Sequence, residues 1–168
     1  MTKIRVTKPD AAGRQLCAAI RLFLADGDPV AIHTLASAAA QITADMMKAR
    51  GMTSMVRSAA LVREDRRREV LRTIAAPENF FKHADRDPDE AIEFNPETTE
   101  FFIFAALAEL QALTGRLPRE GQVFQMWFLL KHEGMLLEND QTRVIRQALD
   151  AVRRSGSLEK SDFFQMLG

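Results

Sequence analysis

The sequence predicts an all-α protein, a helical bundle of about five to seven helices in one domain. Three observations carry this expectation. Apolar residues recur three and four positions apart along most of the chain. Gly, Pro and Asp cut that pattern into pieces of helical length. Period-two alternation is confined to KIRVT at residues 3–7 and AIEF at residues 91–94, where a very short strand is the most that could form. Connections this short favour an antiparallel bundle. A chain of 168 residues suits a single domain. Its core bundle is expected at about residues 10–115, with C-terminal helices at about 118–168 packed on it.

The first helix is expected over residues 10–25, where Leu16, Ile20, Phe23 and Leu24 form one stripe. GDP at residues 27–29 then stops it and starts the next, with Asp28 able to cap and Pro29 at the first-turn position that proline prefers. The second helix continues through Leu35, Ala38, Ala39, Ile42 and Met46 to Arg50, with Gly51 as its C-terminal stop. These two helices should pair as an antiparallel hairpin. Alanine and serine on several faces of HTLASAAAQITA allow other helices to approach closely, so this helix should be central.

A third helix is expected over residues 56–75, with Val62, Val70, Leu71 and Ile74 on one side and arginines on the other, ended by Pro77. Residues 85–96 hold two prolines among many charges and read as a surface loop. Residues 97–113 begin with carboxylates suited to a helix N-terminus and turn almost wholly apolar, the mark of a buried helix ending at Gly115. Pro118 opens the next helix, and residues 139–154 form another, with Val144, Ile145, Leu149 and Val152 along one side. A last short turn offers Phe163, Phe164 and Leu167 for docking.

Composition removes several function classes. Lysine plus arginine and aspartate plus glutamate both number 23, so no global field draws the chain to nucleic acid or an anionic membrane. Cys17 stands alone, which excludes an internal disulfide and a cysteine-pair zinc site. The longest apolar run, residues 101–108, is far short of the roughly 20 residues that span a bilayer, and MTKIRVTKPD lacks a signal-peptide core. A cytoplasmic protein without membrane contact is expected. There is no phosphate-cradling glycine loop and no Gly-x-Ser-x-Gly elbow.

Candidate chemistry concentrates in NFFKHAD at residues 79–85. If this is a helical turn, Asn79 and His83 share a face, with Lys82 and Asp85 nearby. A histidine so placed can act as a general acid or base near neutral pH. The spacing nevertheless favours His83 as a structurally positioned ring, with Phe80 and Phe81 plugging the core. His33, in a first turn, and His132, near a helix end, read as structural or solvated residues. Three histidines this far apart give no metal-ligand spacing, so no metal and no cofactor are expected. Arg63, Arg66, Arg67, Arg68 and Arg72 are the candidate phosphate or nucleic-acid patch, because guanidinium forks fit phosphate oxygens. Glu64, Asp65 and Glu69 are interleaved with them, and the acidic residues after Asp85 could equally pair with them. The aromatic set Phe80, Phe81, Phe101, Phe102, Phe104, Phe124, Trp127 and Phe128 reads as core, some of it available to a dimer interface.

GDPVAIHTLASAAAQI followed by PENFFKHADRDPDEAIEFNP resembles a group of uncharacterised bacterial proteins with those blocks in that order. A helical hairpin with an alanine-rich second helix and a later histidine-bearing turn is, more loosely, similar to the HEPN superfamily. That resemblance implies a small bundle that dimerises and, in several members, a metal-independent ribonuclease of defence or toxin–antitoxin systems. Those members carry an arginine four to six positions before a histidine. Only His83 carries over here, with Asn79 as polar companion and Arg72 the nearest upstream arginine. Three functions therefore stand open: a homodimeric protein that binds nucleic acid or nucleotide without turnover, a ribonuclease using His83 with Asn79, Lys82 or Arg72, and an adaptor acting through a dimer or protein-partner surface.

Overall fold

The computed structural model describes residues 2–55, 57, 64–85, 88–135, 140–155 and 159–168; within these, the side chains of residues 66, 67, 70, 73, 135, 140, 141 and 155 lie outside the description. Among the described residues are seven α-helices and no strand. They are α1 (Lys8–Leu24), α2 (Pro29–Ala49), α3 (Glu64–Phe80), α4 (Thr98–Thr114), α5 (Arg119–Lys131), α6 (Asp140–Ser155) and α7 (Lys160–Gln165), with a 3-10 turn at Glu133–Met135 before α6. No helix among the described residues is long and apolar enough to cross a membrane.

KIRVT forms no strand because its last residue is taken by a helix. Thr7 caps α1, its hydroxyl accepting from the Asp10 amide while the Asp10 carboxylate accepts from the Thr7 amide 3.1 Å away. Asp28 caps α2 through Ala31 N–H at 2.8 Å, with Pro29 as the first helical residue. The two helices pack on each other, and α2 also touches α4 and α3, which makes it the central element.

Its buried residues are Ile32, His33, Ala36, Ser37, Ala39, Ala40, Thr43, Ala44 and Met47, whereas Leu35, Ala38, Ile42 and Met46 sit half-buried at the edge. The small side chains, more than the large apolar ones, thus supply the buried surface of α2, which packs on α1 and α4. Phe23, Phe124 and Trp127 meet edge-on or tilted at centroid distances of 4.8–5.5 Å and join α1 to α5. Phe102, Phe124, Trp127 and Phe128 are buried, Phe80, Phe81 and Phe104 are half-buried, and Phe101 is 43% exposed.

Two expectations are overturned. Pro77 does not end α3, which runs through it to Phe80. Its ring removes one hydrogen bond to the preceding turn, yet the Phe81 N–H still reaches the Pro77 carbonyl at 3.0 Å. The turn is further held by Glu78, which is ion-paired to Arg57 and Lys82, and by Phe81, which packs on His33. Residues 91–94 form no strand either. Burial alternates as the pattern requires, Ile92 and Phe94 half-buried and Ala91 and Glu93 exposed, but the segment docks through its side chains and has no neighbouring strand among the described residues to pair with. The expected start of the third helix, residues 56 and 58–63, lies outside the described residues.

Candidate functional site

The end of α3 and the segment after it enclose a cleft of about 610 Å³ lined by Ala76, Asn79, Phe80, His83, Asp85, Glu90, Ala91 and Ile92. Helical continuation past Pro77 builds it. The His83 N–H donates to the Asn79 carbonyl at 3.0 Å, so these residues share one side of the last turn. His83 is exposed on the cleft, so it is not part of the plug that Phe80 and Phe81 supply. Glu90 and Asp85 bring carboxylates to the same cleft.

The other residues of the expected constellation lie elsewhere. Lys82 turns to Glu78, its Nζ 2.9 Å from the carboxylate, and Arg57 binds the other Glu78 oxygen. Glu78 is buried at 8% exposure. Burial alone would raise its carboxyl, but hydrogen bonds from Lys82 and Arg57 outweigh that and hold it below the ordinary value. Lys82 is thus held to the end of α3 by Glu78, which also joins Arg57 to that helix. Arg72 is exposed on α3 and lines a separate hollow with Glu93, Asn95 and Thr98. The eight helical steps from residue 72 to residue 80 alone span about 12 Å.

Of the arginine patch, Arg68 is exposed, as Arg72 is, and the two stand one turn apart. Arg63 and the side chains of Arg66 and Arg67 lie outside the described residues. Among the described residues no group of three or more His, Cys, Asp or Glu could hold a metal ion.

A fully buried polar group is one that the sequence marks as structural or solvated. His33 is fully buried, its Nδ1 2.9 Å from Thr99 Oγ1. The rings of Phe94, Phe102 and Phe81 surround it at centroid distances of 4.9, 5.1 and 5.8 Å. Its Nε2 is buried without a hydrogen-bond partner among the described residues. Burial pushes the ring down from 6.5 to about 4, with Glu78 acting against the shift and Lys82 and Arg57 adding to it. The signal for this lies in HTLASAAAQ, where a histidine opens a run of small residues that invites close packing. His132 is also held: its Nε2 lies 3.0 Å from the buried Glu100, which takes Lys131 as well at 2.8 Å.

The chain matches no protein-family model, no curated protein and no solved structure. Function therefore rests on the site alone.

Proposed function

We propose that the protein acts by binding, without turnover, and that nucleic acid or nucleotide is the ligand class its third helix takes. The observation that supports this is the setting of α3: Arg68 and Arg72 stand exposed one turn apart on a helix whose end is tied to the bundle through Glu78 and, just past it, Phe81. Paired guanidinium forks on a solvent-facing helix suit successive phosphates. The cleft beside it favours binding over chemistry, because His83 shares it with carboxylates while Lys82 is engaged by Glu78 and Arg72 faces another hollow. The homodimer implied by the resemblance to HEPN bundles belongs to the same proposal, and native mass spectrometry tests it.

Fluorescence anisotropy with a single-stranded oligonucleotide tests the ligand class. Replacing Arg68 and Arg72 together by glutamine should weaken binding and lower the salt slope by about one for each phosphate that is no longer neutralised. Extending the change to Arg63, Arg66 and Arg67 should deepen the loss. Unchanged affinity and slope would refute the patch as the site.

One observation favours the ribonuclease reading: His83 and Asn79 do line one accessible cleft. What that reading lacks in the described residues is a cation beside them to hold the scissile phosphate.

A further inference from the structure

We infer that His33 is a proton-linked latch: the uncharged ring holds residues 81–85 and 88–99 against α2, and protonation frees them while α1, α2, α5 and the rest of α4 stay folded. The ring is the meeting point of three otherwise separate pieces of chain. Phe81 follows α3, Phe94 belongs to the connection, and Phe102 and Thr99 belong to α4, and all four contact His33. Most of the other described residues here are exposed, with Ile92 and Phe94 only half-buried. A segment with so few buried anchors opens more easily than the bundle behind it.

An imidazolium cannot be accommodated in this position. It carries two N–H donors; the Thr99 hydroxyl can accept one, but buried Nε2 has no acceptor among the described residues. The charged groups that face the ring do not offset this. On α3 and its end stand Glu78 and Lys82, and Arg57 comes from the preceding connection; the Glu78 carboxylate would favour a cation but is already shared by two. The connection contributes Phe94 and α4 contributes Phe102 and Thr99, none of them titratable at these pH values.

The direction and window follow from linkage. Closed, the ring titrates at about 4; freed, it returns to 6.5, so the freed state takes up the proton first. Closure is therefore fully favoured above 6.5 and is lost as pH falls towards 4. The ratio of open to closed segment rises by about tenfold per pH unit across that window, up to about 300-fold. Glu78 does not confuse the reading: its folded value is lowered, so its contribution persists above its ordinary 4.5 and fades only below it. Between about pH 5 and 6.5 the latch responds to His33.

Amide hydrogen exchange of the intact chain, corrected for intrinsic rates, tests this. The reporters are the hydrogen-bonded amides of Phe81, Lys82, His83, Thr98 and Thr99. From about pH 7 to about pH 5 they should lose protection roughly twentyfold, and at each pH they should exchange about tenfold or more faster than the slowest amides of α1 and α5, because the segment opens while the bundle stays folded. His33→Gln should flatten the dependence, which also separates His33 from His83 and His132. Segment amides no less protected than the slowest amides of α1 and α5, no loss at all, or the same slope in a folded His33→Gln variant would overturn the latch. Should that variant fail to fold, the imidazole NMR resonance of His33 in the unaltered protein decides: titration of the closed-state signal near the ordinary histidine value would overturn the latch, and its staying neutral down to about pH 5 supports it.

Discussion

The Glu109 carboxylate on α4 accepts a hydrogen bond from the Ser54 hydroxyl at 2.7 Å, and through that contact the connection after α2 is tied to the middle of the core. The same carboxylate accepts from Met55 N–H at 2.8 Å and Thr43 Oγ1 at 2.7 Å, and Glu109 is only 2% exposed. Three neutral donors thus converge on one buried acid. Glu109→Ala should therefore destabilise the protein by about 2 kcal/mol or more, since it takes the acceptor from Met55 N–H and removes the bonds from Ser54 and Thr43, although Thr43 can still donate to the Ala40 carbonyl. Ser54→Ala should cost about 1 kcal/mol. Urea unfolding midpoints, compared at constant m-value, measure both.

Two glycines should respond in opposite directions. A Cβ on Gly121 in α5 would stand 2.8 Å from Leu107 Cδ2 and 3.0 Å from Leu117 Cδ1. Leu107 is fully buried, so its side chain can move aside only by displacing its core neighbours. The helix propensity that alanine adds, about 1 kcal/mol, is outweighed by overpacking of about 1–3 kcal/mol, so Gly121→Ala should destabilise. At Gly13 in α1 the nearest atom would be Leu110 Cδ2 at 3.8 Å, an ordinary van der Waals distance. Gly13→Ala should accordingly stabilise by roughly 0.5–1 kcal/mol. Thermal unfolding of the two variants side by side checks the signs.

The bundle is legible in the sequence because its signals are local. Asp28–Pro29 and Gly115 punctuate the chain where the helices end, and the stripe of Leu16, Ile20, Phe23 and Leu24 is buried as its spacing requires. Pro77 defeats a local rule because a tertiary one competes with it: packing of Phe81 and the ion pairs of Glu78 hold a turn that proline alone would end. The site is less legible. Asn79 and His83 do share a cleft, but Lys82 and Arg72 are taken elsewhere, Lys82 by Glu78 and Arg72 by the length of the helix. Glu109 does carry a signal, because an acid inside an otherwise apolar helix must find donors. His33 carries only a weak one, since its cage comes from Phe81, Phe94 and Phe102, which spacing along α2 cannot reveal.

The burial of His33 also contributes to the acid limb of global stability, above the range where carboxylates such as Glu78 lose theirs. The unfolded chain protonates the ring at 6.5, the folded chain only at about 4. The contribution is whole above 6.5 and shrinks as pH falls to 4, by about 3 kcal/mol in all. Urea unfolding at intervals from about pH 7 to pH 4 should show this loss, and His33→Gln, though less stable at neutral pH, should show a flatter acid limb. A parallel acid limb in the variant would assign the loss to other groups.

Cys17 should be a poor nucleophile despite being only half-buried. Burial, with the Glu120 carboxylate beside it, pushes the thiol up to about 11, and Arg21 only partly counters this. Near pH 8 the thiolate fraction is then about 0.1%. Iodoacetamide labelling should run about two orders of magnitude slower than with free cysteine and should recover in urea. Glu120→Gln should speed it in the folded protein, because it removes the charge that opposes the thiolate.

The cleft at the end of α3 gives the sharpest choice between binding and turnover. His83 is exposed there with Asn79, Asp85 and Glu90, and among the described residues the lining offers no cation where a ribonuclease needs one. Single-stranded RNA incubated with the protein in EDTA should therefore remain intact, and His83→Ala should leave oligonucleotide affinity within about twofold while Arg68→Gln with Arg72→Gln reduces it. Cleavage that persists in EDTA and vanishes in His83→Ala, with helical circular dichroism unchanged, would reverse the assignment and make His83 a general acid or base. Cleavage that survives His83→Ala would point to a contaminating nuclease, which repeat purification of the variant would remove.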